Sequence, residues 1–217
     1  MRAALESLLR ERKLDVTLTS AAPCPAPADR LAATGNPDLD GALGGGLRRG
    51  HLSEIAGRAS SGRTTLLLTT LAAATARGEV VAIVDVCDTF DPASAQAHGV
   101  DLTRVLWVRD TGDPLRALKA FSLVLQAGNF GLVVFDLADV APVVVRRFPF
   151  TTWLRVSRAI EGSDTVALVV AQERTARSPL GVTISLEQGP ARWMGGAASR
   201  ARLFAGVHPA PRIVQAR

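Results

Sequence analysis

Short, almost uninterrupted apolar runs alternate along the middle of this chain with stretches of helical spacing. Val80–Asp85, Val105–Arg109, Leu132–Phe135, Thr165–Val170 and Val182–Leu186 carry few polar residues. That is the pattern of strands covered on both faces. Upstream, His51 to Ala56 reads as a further strand, and a glycine-containing loop leads from it into an apolar helix from Thr64 to about Ala76. Asp91-Pro92 and Asp113-Pro114 each place an N-cap aspartate before a proline whose missing N–H costs nothing in the first helical turn. Gly162 stops a helix that begins near Thr151. Strand and helix in alternation predict an α/β fold with a mainly parallel central sheet, right-handed crossovers and flanking helices.

The two ends break this rhythm. In residues 2–13, Leu5, Leu8 and Leu9 share a helical face with Ala4. Val16 to Thr19 is extended, and the proline- and alanine-rich APCPAPADR follows as a linker. Residues 1–33 are therefore a helix, a strand and a linker, either packed on the body or reaching a neighbouring subunit. Residues 34–190 form the core. Residues 191–217 contain Gly195-Gly196, Pro209 and Pro211 and are rich in arginine. They read as a short, looser tail in which Leu203, Phe204, Ile213 and Val214 are candidate partner contacts.

Composition narrows the setting. Of 217 residues, 47% are hydrophobic and 21% charged, enough for a sizeable core. Cys24 and Cys87 give neither a disulfide framework nor metal-ligand spacing, so no metal site of that kind is expected and a reducing, cytoplasmic location is. The apolar stretch Gly131 to Val145 is broken by Asp136, Asp139 and Pro142, and the first residues form no signal-peptide core. No membrane association is expected. The net charge is +5, with Lys13 and Lys119 the only lysines. Arginine in such number reflects either codon usage or contact with phosphates and acidic partners.

Candidate chemistry centres on Gly57-Arg58-Ala59-Ser60-Ser61-Gly62-Arg63-Thr64-Thr65. It has the phosphate-loop frame G-x-x-x-x-G-K-[ST] with arginine in place of lysine. Glycines let the backbone wrap a phosphate, the N–H groups point inward, and the next helix adds its dipole. Thr64 supplies the hydroxyl for Mg²⁺, with Thr65 beside it. Asp136, closing its strand, is the expected second metal-site carboxylate, although strand-end aspartates also simply cap loops. Arg63 keeps the charge but is larger, planar and forked, so the geometry of phosphoryl transfer is expected to suffer.

From about Thr34 to Gln188 the chain resembles the RecA recombinase core. The likeness is carried by Thr34-Gly35, Leu39-Asp40, Leu43-Gly44-Gly45-Gly46, Ser60 to Thr65, Val84-Asp85, Asp91-Pro92, Gly99-Val100-Asp101, Asp136 and the strand Val166–Gln172. Within that superfamily it is most similar to the small RecA-like ImuA proteins, encoded beside a Y-family polymerase relative in bacterial mutagenesis cassettes. The resemblance implies a RecA-like P-loop core. It also implies three losses: Cys87 stands where RecA has the glutamate that activates water, Ser94 where it has an adenine-stacking aromatic residue, and Arg63 where it has lysine. Gln172 matches the glutamine that senses the terminal phosphate. Asp88 is a candidate substitute base. Cys87 otherwise reads as a small core hydrophobe.

In RecA, loops after the metal-site strand and after the glutamine strand thread single-stranded DNA. Here those regions carry Arg146, Arg147, Arg174 and Arg177, which either touch phosphates or form a solvated face. The resemblance therefore implies a non-catalytic accessory protein that binds RecA, a Y-family polymerase relative or both, with self-association open. The competing expectations are a weak DNA-stimulated ATPase, in which Mg-ATP binding is weak, and plain single-stranded DNA binding.

Overall fold

The computed structural model describes residues 30–110, 112–176, 181–187, 189, 191–196, 199–207 and 210–215. The proposed N-terminal helix with Leu5, Leu8 and Leu9, the strand Val16–Thr19, Cys24 and Arg177 lie outside the described residues. The body begins with a two-residue strand β1 (Leu31–Ala32), helix α1 (Pro37–Ala42) and strand β2 (Leu47–Arg48), which pairs antiparallel with β1. Asp40 closes this entry turn. Its carboxylate accepts hydrogen bonds from Thr34 N and Oγ1, both at 2.7 Å, and from Gly35 N at 3.1 Å. Gly46 permits the close pass, since a Cβ there would lie 2.2 Å from the Ala32 carbonyl oxygen.

Next come β3 (Leu52–Gly57), α2 (Arg63–Ala76), β4 (Val81–Asp85), α3 (Pro92–Ala97), β5 (Val105–Arg109), α4 (Pro114–Ala127) and β6 (Leu132–Asp136). They are followed by α5 (Pro142–Val145), α6 (Phe150–Ile160), β7 (Val166–Ala171) and β8 (Val182–Glu187). The expected N-caps are present: Asp91 accepts from Ala93 N and Ser94 N, and Asp113 from Leu115 N and Arg116 N. With the last strand, β11 (Ala210–Gln215), the main sheet has seven strands in the order β11-β8-β3-β7-β6-β4-β5, parallel throughout except for the β11–β8 pair.

Successive strand residues alternate between two cores. On one face, Ile55, Ile83, Val134, Leu168 and Ile184 pack with Leu66, Leu67 and Leu71 of α2. On the other, Leu52, Val84, Phe135 and Val169 pack with Phe121 of α4 and Trp153, Val156 and Ile160 of α6. Phe121 stacks on Phe135 at 4.9 Å between ring centroids. Each fully buried large side chain contributes roughly 1.5–3 kcal/mol, so these layers hold the sheet flat against its helices and fix its carboxyl edge.

The segment read as a loose tail is strand-forming. β9 (Ala191–Gly195) and β10 (Arg202–Val207) make an antiparallel hairpin, and β11 (Ala210–Gln215) returns to the main sheet beside β8. Ile213 packs against the first core, whereas Leu203 and Phe204 on β10 are exposed. The region after β6 is likewise not an open loop but holds the short α5. Among the described residues, no helix is long and apolar enough to cross a membrane.

Candidate phosphate-loop site

The loop from Gly57 to Gly62 joins β3 to α2 at the carboxyl edge of the sheet. Two backbone features build it. Gly57 has no room for a side chain: a Cβ would lie 2.3 Å from Ser61 Oγ and 3.1 Å from the Leu186 carbonyl oxygen. Gly62, with φ +90°, is the N-cap of the 14-residue α2 and takes the left-handed turn that aims the helix start into the loop. Ser61 is buried, and its Oγ has no hydrogen-bond partner. Thr64 and Thr65 are exposed. A glycine cradle, a helix N-terminus and an orphaned buried hydroxyl together fit a phosphate.

Arg63 sits differently from a phosphate ligand. It is buried and folded back into its own loop. Its Nη1 donates to the Gly57 carbonyl at 2.8 Å and its Nη2 to Asp139 Oδ1 at 3.1 Å. The guanidinium is thus a strut between the start of the phosphate loop and the segment after β6. A phosphate approaching the loop meets a cation already engaged by two oxygens. Asp139, three residues beyond Asp136, belongs to no motif in the sequence, yet it is the carboxylate that meets Arg63.

Asp136 and Asp85 lie in register at the ends of the neighbouring strands β6 and β4. Burial pushes the Asp136 carboxyl up to about 6; Asp85 and Asp139 reinforce this, while a hydrogen bond from Ala138 N and the charge of Arg63 oppose it. Asp85 Oδ2 accepts from Phe90 N at 2.8 Å and from Trp107 Nε1 at 3.3 Å, and its Oδ1 has no partner. Asp85 therefore braces the turn after β4. Gln172, just past β7, is half-buried, with Nε2 3.4 Å from the Val140 carbonyl. It lines a cavity of about 1040 Å³ with Gly57, Arg58, Ala59, Arg174 and Leu186.

The corner after β4 carries no poised base. Cys87 packs partly against the second core, and burial, with the negative charges of Asp139, Asp85, Asp136 and Asp110, pushes its thiol up. It stays protonated near neutral pH. Asp88, the candidate substitute, is held in a two-pronged pair by Arg109, whose Nε and Nη2 donate to its two oxygens at 2.7 Å each. This contact holds the Asp88 carboxyl below its usual range, which makes it a weaker base. Arg109 also lies over the Trp107 ring, 4.5 Å from its centroid. Ser94 is part of a helix cap, its hydroxyl donating to Asp91.

The candidate DNA-contact arginines are only partly gathered. Arg146 and Arg174 line a cleft of about 240 Å³ with Phe148, Phe150 and Trp153, and Arg146 is paired with Glu173. Arg147 is exposed. Glu54, outside every motif in the sequence, is buried in the middle of β3. It accepts hydrogen bonds from Thr175 N, Ala176 N and Thr183 Oγ1, and burial pushes its carboxyl up. It ties the phosphate-loop strand to the start of the loop after β7; a lone acid inside an apolar strand was the available signal.

Comparison with known proteins fits this architecture. The RecA N-terminal domain family matches residues 28–147. The chain belongs to the RecA family. RecA of Rhizobium leguminosarum bv. viciae is 34% identical over 158 residues, covering 65% of this chain and 44% of that protein. RecA of Symbiobacterium thermophilum is 44% identical over 105 residues, covering 48% and 29%. The chain thus spans less than half the length of these RecA proteins. The crystal structure of the RadB recombinase superposes with a TM-score of 0.51 at 23% identity, covering 64% of this chain and 69% of RadB, a likeness of fold.

Proposed function

We propose that this RecA-family chain is a non-catalytic accessory protein of the bacterial DNA-damage response, most like the ImuA proteins. In this reading it binds RecA, a Y-family translesion polymerase relative or both, and so supports or regulates mutagenesis and recombination in the cytoplasm. The observation that carries the reading is the engagement of Arg63 by the Gly57 carbonyl and Asp139. The pairing of Asp88 with Arg109 adds to it, since the remaining carboxylate near the lost glutamate position is then tied away from a water. Turnover needs a cation on the terminal phosphate and a base on the attacking water. Both groups are otherwise occupied.

If Mg-ATP binds, the loop backbone from Gly57 to Gly62 holds the phosphates, and the Thr64 hydroxyl and Asp136 hold the metal and its water. The metal's chemistry would be neutralisation of phosphate charge. Binding is weak because Arg63 must first leave its partners. The test is phosphate release by the purified protein with and without single-stranded DNA, alongside Arg63→Ala. No release above background is expected in any arm, and turnover lost on Arg63→Ala would overturn the reading. In parallel, a RecA pull-down with and without residues 1–33 is expected to retain RecA only when those residues are present.

A second reading, a weak DNA-stimulated ATPase, is favoured by the intact cradle and the exposed Thr64. It predicts turnover that rises with DNA. A third, single-stranded DNA binding through Arg147 and Arg174, predicts an affinity that falls steeply with salt.

A further inference from the structure

The helices α4 and α6 pack side by side on the sheet face opposite α2, and their inward residues Ala117, Phe121, Trp153 and Ile160 belong to the core. Between their outer surfaces runs a groove of about 490 Å³. Leu118, Leu125 and Val156 form its floor, and Lys119, Ser122 and Arg155 stand at its rim. Leu123, also at the rim, is 67% exposed, and Leu115 one helical turn from Lys119 is 62% exposed. Isolated exposed leucines are ordinary, but Leu123 borders an apolar depression.

The charge of this surface is one-sided. Within Pro114–Ala127 and Phe150–Ile160 the charged residues are Arg116, Lys119, Arg155 and Arg158, with no Asp or Glu in either helix. Arg116 is held by Asp110. Lys119, Arg155 and Arg158 are exposed. The surface therefore asks for apolar groups in the middle and carboxylates around them. Nucleic acid matches the rim but not the floor: no aromatic side chain lines the groove for base stacking, and a sugar-phosphate backbone would leave the leucines uncovered.

We propose that the α4–α6 groove docks an acidic amphipathic helix of a partner protein. Two large apolar side chains of that helix, three or four positions apart, fill the groove, and its flanking carboxylates face Lys119 and Arg155. The surface lies away from the phosphate loop, so this docking is independent of nucleotide and of the function proposed above.

The probe is a fluorescent peptide of about 14 residues, with leucines on one helical face and glutamates on the other. Its binding to the full chain is followed by anisotropy. Saturable binding is expected, about tenfold weaker for the Lys119→Glu, Arg155→Glu double variant. Ala159→Trp, at an exposed position lining the groove, is expected to block the peptide while leaving the thermal melting temperature unchanged. A scrambled peptide of the same composition is expected to bind at least tenfold more weakly. Absence of binding, equal binding of the scrambled peptide, or undiminished binding to Ala159→Trp would overturn the proposal. Displacement of the peptide by a single-stranded oligonucleotide of equal charge would instead assign the surface to nucleic acid.

Discussion

The loop after β3 and the loop after β4 leave the same sheet edge, and they differ in what they are made of. The first is defined by backbone: Gly57 admits no Cβ, and Gly62 turns left-handed to start α2. The second is defined by side chains: Cys87 is a protonated, partly packed thiol and Asp88 is bound by Arg109. Backbone geometry persists while the glycines persist, because no neighbouring substitution supplies or removes it. Side-chain chemistry ends with one replacement. The first loop thus presents a phosphate-shaped backbone, while the second presents a protonated thiol and a carboxylate already paired with Arg109.

The sharpest way to break this comparison is Gly57→Val. The new side chain meets the backbone of Leu186, which cannot swing aside, and overpacking there is expected to cost about 3 kcal/mol. Urea denaturation checks this; a change below about 0.5 kcal/mol would mean that the loop is not backbone-limited.

Asp136→Asn comes next. A folded pKa of about 6 lies above the ordinary carboxylate value, so the folded state holds a proton that the unfolded chain has lost. The associated stability is fully present below about pH 4 and is lost as pH rises through about 6. Replacing the carboxyl removes this slope and should stabilise the protein at pH 7 by on the order of 3 kcal/mol. Melting temperatures from pH 4 to 8 are the readout, and Glu54, raised in the same direction, contributes a slope that remains.

Asp139→Asn weakens the strut on Arg63. The side chain of Asp139 is 53% exposed, so the stability loss is about 1 kcal/mol or less. Calorimetric titration with inorganic pyrophosphate should show tighter binding than in the parent, because the guanidinium is freer to meet the anion. The smallest effect belongs to Asp88→Asn. Its pair with Arg109 lies at the surface, and no measurable change in melting temperature is expected. A large drop would show that the β4 corner is structurally as demanding as the β3 loop.

The strands that carry this site were legible because they are apolar on both faces. Val105–Arg109 has the same bounds in sequence and structure, and β6 extends by the one residue, Asp136, that closes it. β11 was not legible. Pro209, Pro211 and Arg212 look like loop, yet an edge strand pairs on one side only and tolerates proline, here opposite Leu186. The frame of the phosphate loop could be read residue by residue, but the position of Arg63 could not. Its partner Asp139 lies 76 residues away, and only the packed sheet brings the two together. Asp88 and Arg109 meet for the same reason, at the ends of the adjacent strands β4 and β5.

The strand order has a consequence for how the chain is made. β3 is flanked by β7 and β8, and its register partner for Leu52 is Ala167, about 115 residues later. At ordinary rates of synthesis the first neighbour of β3 emerges on the order of ten seconds after β3 itself. Over that interval Leu52, Ile55 and Ala56 have no strand to pair with, and the nascent phosphate loop has no sheet to rest on. Completion of this edge is therefore a late, long-range event, slow by the measure of contact separation, and shelter by a ribosome-associated chaperone would act on this strand before any other in the sheet.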